Sequence, residues 1–304
     1  MPRTVVAVIA PGEMGAAVGR RLRERGASVR TSLAGRSAAS AERVRRAGIE
    51  PAGDDADLVA GAGIVLSIVP PAEAVALAER LAPALRGLPS GGGAKPVYVD
   101  CNAVSPETVR RVADRLADTG CAFVDAGIIG APPQPEQGDD AGPRFYVSGG
   151  KEGLRPVLAL RGHGLDVRPL AGGIGAASAL KMAYASLTKG LTALGTAMML
   201  GAEAGGVADA LHAELAGSQP MLLAWLSRQV PGMLPKAYRW VAEMEEISRF
   251  LDDPGGSQML SGAARLYERI AAARRAETDA PGGAGSATDD DALARLRQFL
   301  DRGR

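Results

Sequence analysis

The chain has 304 residues, 46% of them hydrophobic and 4% aromatic, and its 35 Lys plus Arg nearly cancel 34 Asp plus Glu for a formal net charge of +1. That length accommodates two domains with sizeable cores, while the balanced charge argues against nucleic acid or an anionic membrane as partner. Two cysteines, Cys101 and Cys121, and two histidines, His163 and His212, are too few for a metal cluster or a disulfide framework. No apolar run approaches the ~20 residues that span a bilayer and no signal-peptide pattern leads the sequence. A cytoplasmic, metal-free protein with a small-molecule partner is expected.

From residue 4 to about 150, short β-branched runs alternate with helical patterns. The runs are TVVAVIA, ASVRTSL, GIVLSIV, PVYVDC and AFVDAGI, and their alternation with helices predicts a parallel sheet of strand-helix-strand units. Between them, EMGAAVGRRLRERG ends as a helix at Gly26. SPETVRRVADRLADTG carries Ser105 as N-cap, Pro106 in the first turn and Gly120 as C-cap.

At residues 171 to 175, AGGIG breaks this pattern, and helices are predicted over 176–204, 218–230, 234–252 and 256–275. The expected domains are 1–172, a doubly wound nucleotide-binding domain of the Rossmann type; 173–275, an all-α substrate and dimerisation domain; and 276–304, a linker with a short C-terminal helix. The helix over 176–204 is apolar on most faces, which suits a homodimer formed through the helical domain. The stretch AETDAPGGAGSATDDD, residues 276–291, has linker composition. In the helix after it, Leu293, Leu296, Phe299 and Leu300 share a face that could dock on a partner subunit or fray.

The turn after the first strand carries the ligand signal. In the G-x-G-x-x-G fingerprint the glycines make the turn, admit the pyrophosphate and let helix and strand pack closely. The corresponding residues are Ala10, Gly12 and Gly15, with Pro11, Glu13 and Met14 completing the segment. An alanine at negative φ is tolerated at the first position. Strand, turn and helix in this order predict a dinucleotide; the alternative is a tight turn in an unliganded sheet. No acid lies between Glu24 and Glu42 to hold a ribose 2′-hydroxyl. Arg36 with Ser37, and Ser32 nearby, instead suit a 2′-phosphate, so NADP(H) is favoured over NAD.

Several stretches in order resemble the 3-hydroxyacid dehydrogenase and 6-phosphogluconate dehydrogenase superfamily over residues 3–275. IAPGEMG is similar to its cofactor turn, VDCNAVSPETVRR to its D-x-[SN]-x-x-S-P-x-T segment, FVDAGIIGAP to its substrate-binding D-A-P-V-S-G-G, and GAASALKMAYASL to its G-x-G-x-x-x-K-x-x-N helix. The resemblance implies a catalytic lysine at Lys181, a polar residue on the nicotinamide side at Asn102, and a cofactor-ribose segment at Val69 and Pro70. It implies a substrate segment at Gly127, Ile128 and Ile129. Gly127 stands for the family's proline, Ile129 for its carboxylate-binding serine, Ala131 for its last glycine and Tyr184 for its asparagine, so a larger or less acidic substrate is expected.

Oxidising an alcohol or reducing a carbonyl requires one group that exchanges a proton. Lysine is unsuited at its ordinary pKa of ~10.4, and desolvation against apolar walls such as Ile128, Ile129 and Met182 lowers such a value. Lys181 as acid-base, assisted by Tyr184 and Asn102, gives an oxidoreductase. The alternatives are an imine reductase, a group that shares this architecture but generally lacks the lysine, and a non-catalytic NADP-binding sensor or scaffold. The acids Glu243, Glu245 and Glu246 read either as a solvated helix face, which is favoured, or as a substrate ammonium site. His163 reads as loop and His212 as a partly buried core residue.

Overall fold

The structure is a computed structural model that describes residues 4–89, 95–135, 142–279 and 287–302. The chain divides into two compact units, Met1–Met182 and Ala183–Arg304. In the first, strands β1 (Val5–Ile9), β2 (Ser28–Ser32), β3 (Glu50–Ala52), β4 (Ile64–Ser67), β5 (Val97–Asp100), β6 (Phe123–Ile129), β7 (Arg144–Gly149) and β8 (Asp166–Pro169) form one sheet. Helices α1 (Glu13–Glu24), α2 (Ala38–Ala47), α3 (Asp55–Val59), α4 (Ala74–Arg86), α5 (Pro106–Leu116) and α6 (Lys151–Leu158) alternate with them.

The strand order is β3-β2-β1-β4-β5-β6-β7-β8. β1 to β6 run parallel, as the alternation of strands and helices requires. One strand departs from this parallel pattern. β7 pairs antiparallel with β6, from Val124 opposite Gly149 to Ile129 opposite Arg144, and parallel with β8. Among the described residues no crossover helix separates β6 from β7, and a parallel return requires one.

Both faces of the sheet are covered, so β1 is apolar at every position rather than alternating. Val6 and Val8 join Leu22, Val29 and Leu66 on one side; Ala7 and Ile9 join Leu58, Leu81 and Val109 on the other. Each large side chain so buried contributes about 1.5–3 kcal/mol. α5 shows how the helices meet this core. Ser105 caps it by accepting a hydrogen bond from Thr108 N, Pro106 occupies the first turn, and Val109, Val112 and Leu116 fall on the inward stripe. His163 lies in a short 3-10 turn, not an open loop, and hydrogen-bonds the Arg25 carbonyl at 2.8 Å.

α7 (Ala176–Ala204) begins in the first unit and continues into the second. α8 (Ala208–Ser218), α9 (Pro220–Met233), α10 (Ala237–Phe250), α11 (Pro254–Asp279) and α12 (Ala287–Asp301) complete the second unit. Of the expected linker, residues 276–279 extend α11, 287–291 begin α12, and 280–286 lie outside the described residues. α12 docks within its own unit. Leu293, Leu296 and Phe299 are buried, Phe299 meets His212 edge-on, and Arg302 pairs with Glu203 and Asp209. No described helix is long and apolar enough to cross a membrane.

Candidate functional site

Ala10, Val69, Asn102 and Ile129 lie at the carboxyl ends of four neighbouring strands, β1, β4, β5 and β6. In such sheets this edge is where ligands bind. Three constructions occupy it.

The first is the turn between β1 and α1. Gly15 brings α1 so close to β1 that a Cβ would overlap the Ala10 carbonyl oxygen, which excludes any side chain. Ala10 itself needs no glycine, because no described non-glycine residue adopts positive φ. Gly12 is the N-cap of α1, supplies no side-chain cap, and has no atom within 4 Å of where a Cβ would stand. An uncovered helix start facing open space is the environment a pyrophosphate takes. These residues therefore fit a dinucleotide. Pro11 is buried, Met14 packs against the core, and Glu13 is exposed in the first turn, where its charge suits the helix dipole.

At the end of β2, Arg36 is half-buried and no carboxylate pairs with it among the described residues. Ser37 caps α2, its Oγ accepting from Ser40 N at 3.3 Å. Ser32 Oγ accepts from Ala34 N. Arg43, which sequence reasoning did not single out, reaches from α2 to the carbonyl of Pro11.

The second construction is centred on Asn102, only 2% exposed. Its Oδ1 accepts from Val69 N at 2.7 Å, and its Nδ2 donates to Ser67 Oγ at 2.9 Å and to Asp100 Oδ2 at 3.0 Å. Asp100 Oδ1 also accepts from Asn102 N. The amide thus has both hydrogens and its oxygen engaged by the ends of β4 and β5. It fixes the backbone at Val69, while Pro70 beside it is exposed. Burial pushes the Asp100 carboxyl up to about 7, against the lowering effect of the Asn102 N–H. Cys101, also buried, has its thiol pushed well above the ordinary range by the same desolvation.

The third construction joins β6 to the first turns of α7. Asp125 is fully buried. Its Oδ2 accepts from Gly175 N at 2.9 Å, Ser178 N at 3.0 Å and Ser148 Oγ at 3.2 Å, and its Oδ1 accepts from Ser178 Oγ at 2.7 Å. Ser148 Oγ accepts in turn from Ala177 N. A carboxylate and a hydroxyl on adjacent strands thereby satisfy the open start of α7. Two residues on, a Cβ at Gly127 would stand 2.8 Å from Ala177 O and 3.0 Å from Lys181 Cβ. The lack of a side chain at Gly127 is what lets the helix lie against the strand.

One turn further along α7, Lys181 Nζ donates to Ile128 O at 2.7 Å. Ile128 and Ile129 are buried in the strand beside it. Lys181, Asn102 and the cofactor turn thus belong to the first unit and to one edge of its sheet. Tyr184 falls in the second unit and is 50% exposed. In the sequence Asp125 is only a lone acid in an apolar strand, and nothing near it announces its role. Its donors lie 23, 50 and 53 residues downstream, where no local pattern points to them.

In the second unit, the reading of Glu243, Glu245 and Glu246 as a solvated face is corrected. Glu243 pairs with the largely buried Lys189, whose ammonium also sits 4.9 Å from the centre of the Trp240 ring. Tyr267 packs edge-on to Trp240 and donates its hydroxyl to Lys189 O at 2.6 Å. Burial pushes Lys189 below its ordinary pKa, against the attraction of Glu243. Glu246 is buried and pairs with Arg249; Glu245 alone is exposed. A partner 54 residues distant, supplied by α7, draws Glu243 inward.

Residues 5–160 match the family described as the NAD binding domain of 6-phosphogluconate dehydrogenase, and residues 202–270 match a domain of unknown function, DUF1932. A 3-hydroxyisobutyrate dehydrogenase of Pseudomonas aeruginosa is 33% identical over 108 residues, which cover 34% of each chain. A conserved protein of unknown function, reported as structurally similar to 3-hydroxyacid dehydrogenases, is 28% identical, covers 90% of this chain and 98% of its own, and superposes with a TM-score of 0.62. An imine reductase from Myxococcus stipitatus in complex with NADP+ shares the fold. It is 18% identical, covers 98% of this chain and 99% of its own, and has a TM-score of 0.50.

Proposed function

The chain belongs to the family of the NAD binding domain of 6-phosphogluconate dehydrogenase, and on that premise we propose that it is an NADP(H)-dependent oxidoreductase acting on a small hydroxy or carbonyl compound. The observation that carries this reading is the amine of Lys181, held by Ile128 O on the sheet edge that also bears the Gly12 turn. When bound, the nicotinamide supplies or takes the hydride. Ala10 to Gly15 would hold its pyrophosphate, Val69 and Pro70 its ribose side, and Arg36 with Ser37 its 2′-phosphate.

Proton transfer is the work of this chain. In oxidation, neutral Lys181 Nζ takes the alcohol proton; in reduction, charged Nζ gives a proton to the carbonyl oxygen. Asp125 holds the helix that carries Lys181, so the amine's position depends on a cap six residues before it. Asn102 holds the Val69 backbone in place. Tyr184, on the same helix, supplies a hydroxyl for substrate.

A second reading, reduction of a cyclic or condensed imine, is favoured by one observation. Where the family has its carboxylate-binding serine, the chain has the buried, apolar Ile129. A homodimer through the helical unit belongs to the proposal, supported by the exposed Tyr184, Leu187 and Leu194 along α7. Two free cysteines are compatible with a reducing, cytoplasmic setting.

The test is turnover of short 3-hydroxyacids, their oxo forms and cyclic imines, by wild type and Lys181→Ala. Turnover is expected to fall at least ~100-fold with little change in NADPH affinity. Undiminished turnover in Lys181→Ala refutes the proposed mechanism, and tight NADPH binding without turnover of any substrate favours a sensor.

A further inference from the structure

Arg43 lies on α2, half-buried, and links two turns. Its Nε donates to Pro11 O at 3.2 Å and its Nη2 donates to Ser40 Oγ at 2.9 Å. Ser40 Oγ is in turn 3.2 Å from Ser37 Oγ, the cap of α2. One guanidinium therefore spans the turn before α1 and the first turn of α2.

Both acceptors are neutral. Among the described residues no carboxylate pairs with Arg43, and its neighbour Glu42 is held by both edges of Arg45, at 2.6 and 2.8 Å. Arg36, just ahead of Ser37, also lacks a carboxylate partner there. Arg36 precedes α2 and the Arg43 guanidinium reaches the turn before α1 and the first turn of α2, where helix dipoles add to their positive field, and among the described residues neither is paired with a carboxylate. Arginine offers five donors in a fixed fork, and Arg43 uses two. A link between two neutral acceptors alone needs no charge, and a partly desolvated charge wants an anion.

The geometry points to Arg43 as a second cation for the 2′-phosphate of NADP(H), one that couples the grip on that phosphate to the pyrophosphate turn through Pro11. This rests on the NADP(H) reading above. Arg36 would meet the phosphate from the loop and Arg43 from the helix. Because Arg43 also donates to Pro11 O, the cation that meets the 2′-phosphate touches the pyrophosphate turn as well.

The experiment is titration of the purified full chain with NADPH and NADH, following nucleotide fluorescence, for wild type, Arg36→Ala, Arg43→Ala and Arg43→Gln. Wild type is expected to prefer NADPH. Loss of one charge-assisted contact should weaken NADPH about tenfold to a hundredfold in both Arg43 variants and NADH by less than about threefold. NADH affinity reports whether a variant is folded, and Arg43→Gln keeps a donor for Pro11 or Ser40 without the charge. Equal weakening of both nucleotides makes Arg43 a support of the turn alone and overturns the inference. So does unchanged NADPH affinity in a chain whose preference is lost in Arg36→Ala, an outcome that leaves the NADP(H) reading intact. A wild type without preference for NADPH overturns both.

Discussion

Replacing Asp125 with alanine should cost the first unit more stability than any other single truncation at the site. The side chain is fully buried and accepts four hydrogen bonds, two from backbone N–H groups and two from serine hydroxyls. The hydroxyls of Ser148 and Ser178 can turn toward other acceptors. The amides of Gly175 and Ser178 cannot, and each orphaned buried donor costs about 1–3 kcal/mol. Relief of the carboxylate's own desolvation offsets part of that sum, leaving a net loss of about 3–4 kcal/mol. Urea unfolding followed by far-ultraviolet circular dichroism measures it, as a lower midpoint at unchanged slope. Both tryptophans, Trp225 and Trp240, lie in the second unit, so their fluorescence is a separate reporter. Ser178→Ala removes one hydroxyl donor to the carboxylate but no amide, and should cost only about 1–2 kcal/mol. A loss below about 1 kcal/mol in Asp125→Ala would refute the assignment of Asp125 as the cap of α7.

Two further outcomes follow from the same edge of the sheet. Gly127→Ala forces a methyl against Ala177 O and Lys181 Cβ; it should destabilise by about 1–3 kcal/mol and lower kcat more than it weakens NADPH binding, read by urea unfolding, steady-state kinetics and fluorescence titration. Asp100 has its carboxyl raised by burial to about 7, from 3.8. The unfolded chain releases this proton first, so the contribution is favourable at low pH and is lost as pH rises from about 4 to 7. Asp100→Asn should therefore flatten the decline of unfolding midpoint across that range; parallel profiles for the two proteins would sink the argument.

Which features could be read from residues alone follows the range of the interactions that make them. α7 has the bounds its apolar run predicts, Ala176–Ala204, because a continuous helix is specified by neighbours within one turn. β3 escaped notice with three residues and a proline, EPA, and β8 with the polar DVRP; both lie at the edges of the sheet, where neither strong apolarity nor a free N–H is needed. β7 was missed because a reading built on strand-helix-strand units has no place for a strand that returns antiparallel. Lys181, Asn102 and the Gly12 turn are legible as short motifs. Asp125, Ser148, Arg43 and the Lys189–Glu243 pair are not, since each takes its meaning from a partner tens of residues away. Ser37 also caps α2, a role set by Ser40 three residues on and not by its neighbour Arg36.

The lock between Asp125 and the start of α7 also sets where this protein can be cut. The match to the nucleotide-binding family ends at residue 160, a natural place to end an isolated fragment. Such a fragment would retain Asp125 and Ser148 but discard Gly175, Ala177 and Ser178, their donors, along with β8 at the sheet's edge. A buried carboxylate would be left facing water or nothing. Any minimal version meant to keep Lys181 with its support has to extend to Met182, so its terminus falls inside a helix instead of in a loop. Module swapping among relatives of this chain therefore carries a rule: β6 and the first two turns of α7 travel together.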